Sequence, residues 1–185
     1  MSDDIYTGKM MDRRYVGEHV DILYSAKRCI HAEECIHRLA AVFDAKRRPW
    51  ILPGATPAET VAEVVAHCPS GALHYESKDG AVDIRETPPP TNEITLWHNG
   101  PLQFSGELHI TGANVQINDE TRVTLCRCGQ SQSKPFCDNS HKTSGFDGTV
   151  TAPLTALPTR DGGPLKISVS PNGPLVLEGA FSAAG

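Results

Sequence analysis

Three cysteines and one histidine lie close together in the last third of the chain. Cys126, Cys128, Cys137 and His141 follow the spacing C-x-C-x8-C-x3-H, on a stretch rich in Gly, Ser and Pro. Three soft thiolates and one imidazole make a complete set of four metal ligands. Structural zinc sites usually open with two cysteines that have roughly two to four residues between them, so a single intervening residue is atypical of zinc. The run therefore indicates a four-ligand metal site with an unusual spacing.

The same run resembles the CDGSH iron–sulfur (NEET) family, whose motif reads C-x-C-x2-[S/T]-x3-P-x-C-D-G-[S/T/A]-H. The positions that match are Cys126, Cys128, Ser131, Pro135, Cys137, Asp138, Ser140 and His141. The resemblance implies a 2Fe–2S cluster held by Cys126, Cys128, Cys137 and His141. Asn139 replaces the usual glycine, and because Asn tolerates positive φ well, we expect the turn to be kept. The alternatives are a structural zinc-binding protein with no redox role and a reduced, metal-free loop.

The first half of the chain carries a second group of cysteines, namely Cys29, Cys35 and Cys68. They resemble divergent single-cluster bacterial ferredoxins, whose usual run is C-x2-C-x2-C with a distant Cys-Pro. Ala32 occupies the middle position of that run, so three thiolates remain. Three thiolates suffice for a 3Fe–4S cluster, whereas a 4Fe–4S cluster needs a fourth ligand, for which His31 is the best candidate. The alternatives are ordinary buried cysteines and a site that no longer holds a cluster.

The composition excludes several classes of protein. The chain has 185 residues with 17 basic and 22 acidic side chains, for a net charge of −5, and lacks the basic block of a nucleic-acid binder. No apolar run approaches the ~20 residues of a membrane span. The first residues lack a signal-peptide core, so we expect a cytoplasmic protein in which cysteines bind metal rather than form disulfides. We find no nucleophile–base pair, phosphate loop or flavin fingerprint, and predict no enzyme.

The elements that must position these ligands divide at a proline-rich linker, residues 86–92. Three consecutive prolines favour extended chain and exclude a helix. Residues 1–85 are predicted to form a small ferredoxin-like α/β domain. Its predicted elements are a strand over Val20–Tyr24, a helix over Ala32–Phe43, a short strand over Trp50–Leu52, a helix after a Thr56/Glu59 capping box, and a strand over Ala72–Tyr75.

Residues 93–185 are predicted to be β-rich, so the fold class of the whole chain is α+β. This half contains a repeat. Residues 94–106 align with residues 167–179 without a gap at an offset of 73 (167 − 94), with Asn-Gly-Pro-Leu identical in both copies. CDGSH proteins resemble intertwined two-fold dimers, so the repeat suggests an internal pseudo-dimer whose partial second copy begins near residue 163. Position 199, the equivalent of Cys126, exceeds the sequence. The second half therefore lacks a cluster or the sequence stops before a second motif, unless the repeat is only a common turn.

The function expected from these motifs is intracellular electron transfer through the 2Fe–2S cluster, with a possible second 3Fe–4S or 4Fe–4S cluster in the first domain. Its partners would be redox proteins, a reductase or an acceptor, that dock on the acidic surface. The rival hypothesis is an iron–sulfur cluster carrier or a redox or iron sensor, which a labile His141 ligand would serve. We expect no nucleic acid or membrane as a partner, and either a monomeric pseudo-dimer or a homodimer.

Overall fold

The computed structural model describes residues 5–8, 13–78, 86–112, 114–150 and 163–185. The chain forms two compact units, one of residues Met11–Glu86 and one of Thr87–Gly185 together with Met1–Met10. Strands predominate over helices, so the fold is a small α+β fold, as predicted at that level. Among the described residues no helix is long and apolar enough to cross a membrane.

The first unit is a three-stranded antiparallel sheet covered by short helices. Its strands are β1 (Arg13–Tyr15), β2 (Val20–Tyr24) and β3 (Leu73–Ser77), in the spatial order β1-β2-β3. The helices are α1 (Glu34–Arg38), α2 (Ala58–Ala66) and a 3-10 turn at Pro53–Ala55. The apolar faces of β2 and α2 meet in a core that includes Val20, Ile22, Val42, Phe43, Ile51, Val61, Val65 and Leu73.

The helix predicted over Ala32–Phe43 is wrong in extent, because α1 spans only Glu34–Arg38. Glu33 precedes it in a left-handed conformation (φ 61°), and Leu39 ends it with φ −146°. Beyond that point Phe43 pairs with Ile51 in an isolated β-bridge. The apolar spacing up to Phe43 reflects burial through a turn and a bridge rather than through further helical turns.

The other predicted elements of this unit fare unequally. The strand Val20–Tyr24 is confirmed, and the last strand is confirmed with slightly later bounds. The helix after Thr56 is confirmed, but the capping box is wrong: α2 starts at Ala58, its cap is Pro57, and no side chain caps it. Of the short strand Trp50–Leu52 only the bridge at Ile51 forms.

The second unit is a six-stranded sheet. Its strands are β4 (Glu93–Leu96), β5 (Leu102–Gly112), β6 (Val115–Leu125), β7 (Leu165–Val169), β8 (Leu175–Glu178) and β9 (Ser182–Ala184), and a 3-10 helix spans Ser140–Lys142. The order is β8-β7-β5-β4-β9, and β6 pairs with β5. Alternating residues of β5, β6 and β7 form the core with Phe136.

The two copies of the sequence repeat form hairpins with the same register. Ile94 lies opposite Phe104 in the β4–β5 hairpin, and Ile167 lies opposite Leu177 in the β7–β8 hairpin; each position moves by 73 residues (94 to 167, 104 to 177). The two parallel strand pairs are also equivalent under this offset. His109 of β5 lies opposite Lys166 of β7, and Glu93 of β4 lies opposite Ser182 of β9. The offset of 73 carries residue 109 to 182 and residue 93 to 166.

Asn92 connects the β4–β5 hairpin to the residues that flank the β7–β8 hairpin. Its side-chain amide donates hydrogen bonds to the carbonyls of Gly163 (3.0 Å) and Ala180 (2.9 Å), while its Oδ1 accepts one from the Glu107 amide (2.9 Å). Gly106 has φ 147°, and a Cβ there would lie 2.1 Å from Oδ1 of Asn92. Only glycine allows the bend in β5 that this close approach requires.

The buried carboxylate of Asp21 predicts a pH-dependent stability for the first unit. Burial acts to raise its pKa, but hydrogen bonds from Lys78, Arg14 and the Gly17 amide outweigh burial, so the pKa of Asp21 lies below its ordinary value. A lowered folded-state pKa stabilises the unit above the unfolded-state pKa, and this stabilisation is lost as the pH falls through the folded-state value. We expect a loss of about 1 kcal/mol between pH 6 and pH 3, because both side-chain partners are partly exposed.

Urea unfolding followed by Trp50 fluorescence in a Trp97→Phe background measures this loss. Asp21→Asn should be less stable at pH 6 and should not show the extra loss at pH 3. Equal pH dependence in the two proteins would contradict the role given to Asp21.

Candidate metal centre

The loop that carries Cys126, Cys128 and Cys137 closes back on the end of β6. The Cys126 amide donates to the carbonyl of Pro135 (2.8 Å), and the Cys137 amide donates to the carbonyl of Thr124 (3.1 Å). Leu125 and Phe136 pair in a β-bridge between these bonds. Phe136 is fully buried and anchors the returning chain in the core. The closure brings together cysteines that lie far apart in the loop.

The four predicted ligands form two pairs. Sγ of Cys126 lies 3.8 Å from Sγ of Cys128, and Sγ of Cys137 lies 3.6 Å from Nδ1 of His141. Two sulfurs that share one tetrahedral metal at about 2.3 Å lie about 3.8 Å apart, and a sulfur and an imidazole nitrogen lie about 3.6 Å apart. No three Cys, His, Asp or Glu side chains in the described part of the chain are grouped to hold a single ion. The donors thus fit one metal for each pair.

Backbone amides point at the thiol sulfurs. The Gln130 amide donates to Sγ of Cys128, and the Asn139 amide donates to Sγ of Cys137, each at 3.4 Å. Asn139 has φ 71°, so the left-handed turn expected from the sequence is confirmed. Gly129 provides the corresponding turn with φ 73°. Such amide–sulfur bonds favour the thiolate form and tune the potential of an iron–sulfur cluster.

Asp138 and Ser131 fasten the rest of the loop. Oδ2 of Asp138 accepts from the Gln132 amide (2.8 Å), and Oδ1 accepts from the amide and the hydroxyl of Ser140 (2.9 and 2.6 Å). Although burial opposes the shift, these bonds keep the pKa of Asp138 below its ordinary value. The Ser131 hydroxyl donates to the carbonyl of Phe136 (2.7 Å). Asp138 therefore ties the cysteine loop to the 3-10 helix that carries His141.

Burial sets the protonation of the ligands. It raises the pKa of Cys128 and of Cys137, and neighbouring thiols raise both further. It lowers the pKa of His141, and the positive charge of Lys142 lowers it further, against the attraction of Asp138. The imidazole is therefore held in its neutral, ligating form, whereas the thiols need a bound cation to become thiolates.

Arg127, which sequence reasoning missed, holds this loop from the side. Its guanidinium donates to the carbonyl of Gly148 (2.6 Å) and to that of Trp97 (3.5 Å), and it lies 5.7 Å from the centre of the Phe146 ring. The sequence signal that could have pointed to Arg127 is its position between Cys126 and Cys128. Its partners lie far along the chain and could not be read from the motif.

The predicted ligands of the first unit share one small cavity. Cys29, Cys35 and Cys68 line it together with His31, and Ala32 lies there too, in the position of the missing cysteine. His31 has φ 54°, which breaks the chain before α1 and lets it follow the cavity wall. The structure thus brings together three cysteines from segments far apart in sequence, with the candidate fourth ligand beside them.

The thiols of this cavity are shielded from water and close enough to interact. Burial raises the pKa of Cys35 to about 12, and the neighbouring Cys68 adds to the shift. Burial also raises the pKa of Cys29, although hydrogen bonds from the His31 amide and the Tyr24 side chain oppose the effect. Such thiols release their protons when they bind a metal. Tyr24 is a further residue of this site that the motif did not indicate.

Arg28 connects the two segments that carry these cysteines. Its side chain is fully buried, and its Nε and Nη2 donate to the carbonyl of Ser70 at 3.2 and 3.0 Å. Arg28 precedes Cys29, and Ser70 follows Cys68 by two residues. The guanidinium therefore fixes the spacing of the two cysteine segments.

Comparison with known proteins places both units in the class of iron–sulfur-binding domains. The family model described as "Divergent 4Fe-4S mono-cluster" matches residues 15–78, and the one described as "Iron-binding zinc finger CDGSH type" matches residues 99–142. Both resemblances seen in the sequence are thereby confirmed.

The chain is also similar to curated proteins over about a third of its length. The chain is 39% identical over 66 residues to the uncharacterized protein YjdI of Escherichia coli K12, an alignment that covers 36% of this chain and 87% of the relative. The same values hold for YjdI of Escherichia coli O157:H7. The chain therefore belongs to the same family as YjdI. No solved structure matches it.

Replacement of Asn139 tests the geometry of the ligand turn. We expect Asn139→Gly to retain the metal, because glycine adopts φ 71° without strain, and Asn139→Ala to lose it several-fold faster, because alanine costs about 1 kcal/mol in that conformation. The decay of the visible absorption after addition of a chelator measures the loss. Equal decay rates for the glycine and alanine variants would show that the left-handed turn does not control retention.

Proposed function

We propose that the second unit, called the CDGSH unit from here on, holds a 2Fe–2S cluster through Cys126, Cys128, Cys137 and His141, and that it transfers electrons. The observation that carries the proposal is the pairing of the four donors at the separations of two tetrahedral metals. Such a cluster supplies a one-electron redox couple. A structural zinc ion, one alternative drawn from the sequence, would need all four donors around one point.

The ligand set determines the charge of the site and thereby its redox character. Two ferric ions, two sulfides, three thiolates and a neutral imidazole give a net charge of −1, whereas four thiolates would give −2. A less negative site accepts an electron more readily, so His141 raises the reduction potential relative to a fourth cysteine. The amides of Gln130 and Asn139 act in the same direction by donating to the sulfurs.

A second candidate function is delivery of the cluster to another protein. The three cysteines lie on a loop that is fixed to β6 and to the core, whereas His141 lies on the short 3-10 helix Ser140–Lys142; His141 is half-buried, as Cys126 and Cys128 are. One neutral ligand among three anchored thiolates is the natural point of release. The same ligand would serve a redox or iron sensor.

His141→Cys separates electron transfer from delivery. We expect the variant to keep its two irons, to have a lower reduction potential because the site gains a negative charge, and to transfer its cluster to an apo-acceptor at least about tenfold more slowly. Spectroelectrochemical titration and a transfer assay with an apo-ferredoxin measure the two effects. Unchanged transfer would eliminate the carrier role, and an unchanged potential would eliminate His141 as a ligand. His98→Cys in the same unit is the matched control.

We infer a second cluster in the first unit, held by Cys29, Cys35 and Cys68. The shared cavity and the raised thiol pKa values support it, and the description of the matching family points to 4Fe–4S. His31 is then the fourth ligand, because it lines the cavity. His37, by contrast, pairs with Glu33 (3.3 Å), and His67 bonds the carbonyl of Glu63 (2.8 Å). A 3Fe–4S cluster would need only the three thiolates.

Replacing His31 distinguishes the two cluster types. If His31 ligates a 4Fe–4S cluster, His31→Ala should lose about one iron per chain and show the paramagnetic signal of an oxidised 3Fe–4S cluster, while His37→Ala keeps the original spectrum. Electron paramagnetic resonance of anaerobically purified protein measures this. The same 3Fe–4S signal in unmutated protein would contradict ligation by His31.

The equal registers of the two hairpins support an internal pseudo-two-fold arrangement, in which one chain supplies both halves of a CDGSH-type unit. Of the two copies of the repeat, only the first is followed by a ligand loop in the given sequence. The protein would act with redox partner proteins, as a monomeric pseudo-dimer or as a homodimer. A ferredoxin-like fold of the first unit, the boundaries 1–85 and 93–185, the cytoplasmic location and the absence of enzymatic activity stay predictions.

A further inference from the structure

An apolar cavity of about 670 Å³ opens beside Cys126 in the CDGSH unit. Its walls come from both hairpins of the repeat and are mainly apolar; the apolar residues include Leu96, Leu102, Phe104, Val169, Leu175 and Leu177. The volume lies in the range of sites that enclose a small molecule. The cluster ligands need none of this space, since only Cys126 among them borders it.

Two cations of the ligand loop, Arg127 and Lys134, line the cavity, and the second of them, Lys134, is exposed to solvent. Arg127 donates to the backbone carbonyls of Gly148 and Trp97, and the Lys134 ammonium donates to Oδ1 of Asn172 (2.9 Å). Within the described ranges all these acceptors are uncharged oxygens, and neither cation has a carboxylate partner. Two positive charges and apolar walls are thus joined in one cavity of a protein that is acidic overall.

We propose that this cavity binds a free long-chain carboxylate, with its alkyl chain against the apolar walls and its carboxylate toward Arg127 and Lys134. Each buried methylene would contribute about 0.8 kcal/mol. A carboxylate would accept charge-assisted hydrogen bonds from both cations. A neutral apolar molecule leaves those cations uncompensated, and a cationic amphiphile is repelled by them. The apolar walls and the two cations together select an anionic amphiphile.

Binding at this place would be coupled to the redox state of the neighbouring centre, a consequence that rests on the proposed function. A carboxylate near Cys126 disfavours an added electron on a cluster held there, and by reciprocity the reduced protein binds the carboxylate less tightly. We expect a difference of about fivefold or more in Kd between the oxidised and reduced protein.

Calorimetric titration of the full-length oxidised protein with dodecanoate, below its micelle concentration, tests the site. We expect saturable binding at one site per chain, weakened about tenfold by Lys134→Met through loss of the charge-assisted bond. Ala183→Phe, which fills the cavity from β9, should abolish it. Lys166→Met, an exposed lysine outside the cavity lining, should bind like the unmutated protein. Unchanged iron content and circular dichroism show that the variants are folded.

Several outcomes would overturn the proposal. Equal affinity for dodecanol, or for the dodecyltrimethylammonium ion, would show that Arg127 and Lys134 do not select the ligand. Binding that Ala183→Phe leaves intact would place the ligand elsewhere. Sedimentation with phosphatidylglycerol vesicles that dodecanoate does not compete away would assign the cations to a membrane surface.

Saturable binding to a protein that contains no cluster would uphold this site while the proposed electron-transfer function failed.

Discussion

The CDGSH unit depends on the closure of the ligand loop onto the end of β6. Two backbone hydrogen bonds, from the Cys126 amide to Pro135 and from the Cys137 amide to Thr124, bracket the buried ring of Phe136. They hold the first and third cysteines on the two sides of the Leu125–Phe136 bridge. Asp138 then carries the constraint into the 3-10 helix, so that His141 meets Cys137 at 3.6 Å. The chemistry of the site follows from this closure, because the loop alone would leave four donors scattered along a flexible segment.

Burial of cysteine thiols has the same electrostatic effect in both units. Burial raises the pKa of Cys35 in one and of Cys128 and Cys137 in the other, so these three thiols keep their protons until a bound metal displaces them. In return, a buried thiolate bound to iron is protected from water and from competing ligands. The two sites differ in the fixed contacts around them, which are Arg28 and Tyr24 in the first unit and Arg127 and the amide donors in the second.

Cys126, Cys128, Cys137 and His141 could be named as candidate ligands from the sequence because their identity and spacing are local; that they bind a metal stays a prediction. The same holds for Asn139, whose left-handed conformation follows from its intrinsic preference. The helix over Ala32–Phe43 failed because apolar spacing records burial, and Val42 and Phe43 are buried through a turn. Thr56 failed as a cap because the chain enters α2 through Pro57. The bond from Arg28 to Ser70, the contacts of Arg127 and the apolar cavity join residues far apart in the chain, so no local pattern could reveal them.

Iron and acid-labile sulfide, measured per chain together with the absorption spectrum of anaerobically purified protein, test the central claim most directly. In the Cys29→Ser/Cys68→Ser double variant, which removes two ligands of the first unit, we predict about two irons and two sulfides and the spectrum of a 2Fe–2S cluster. A colourless double variant that contains one zinc ion and no sulfide would contradict the account.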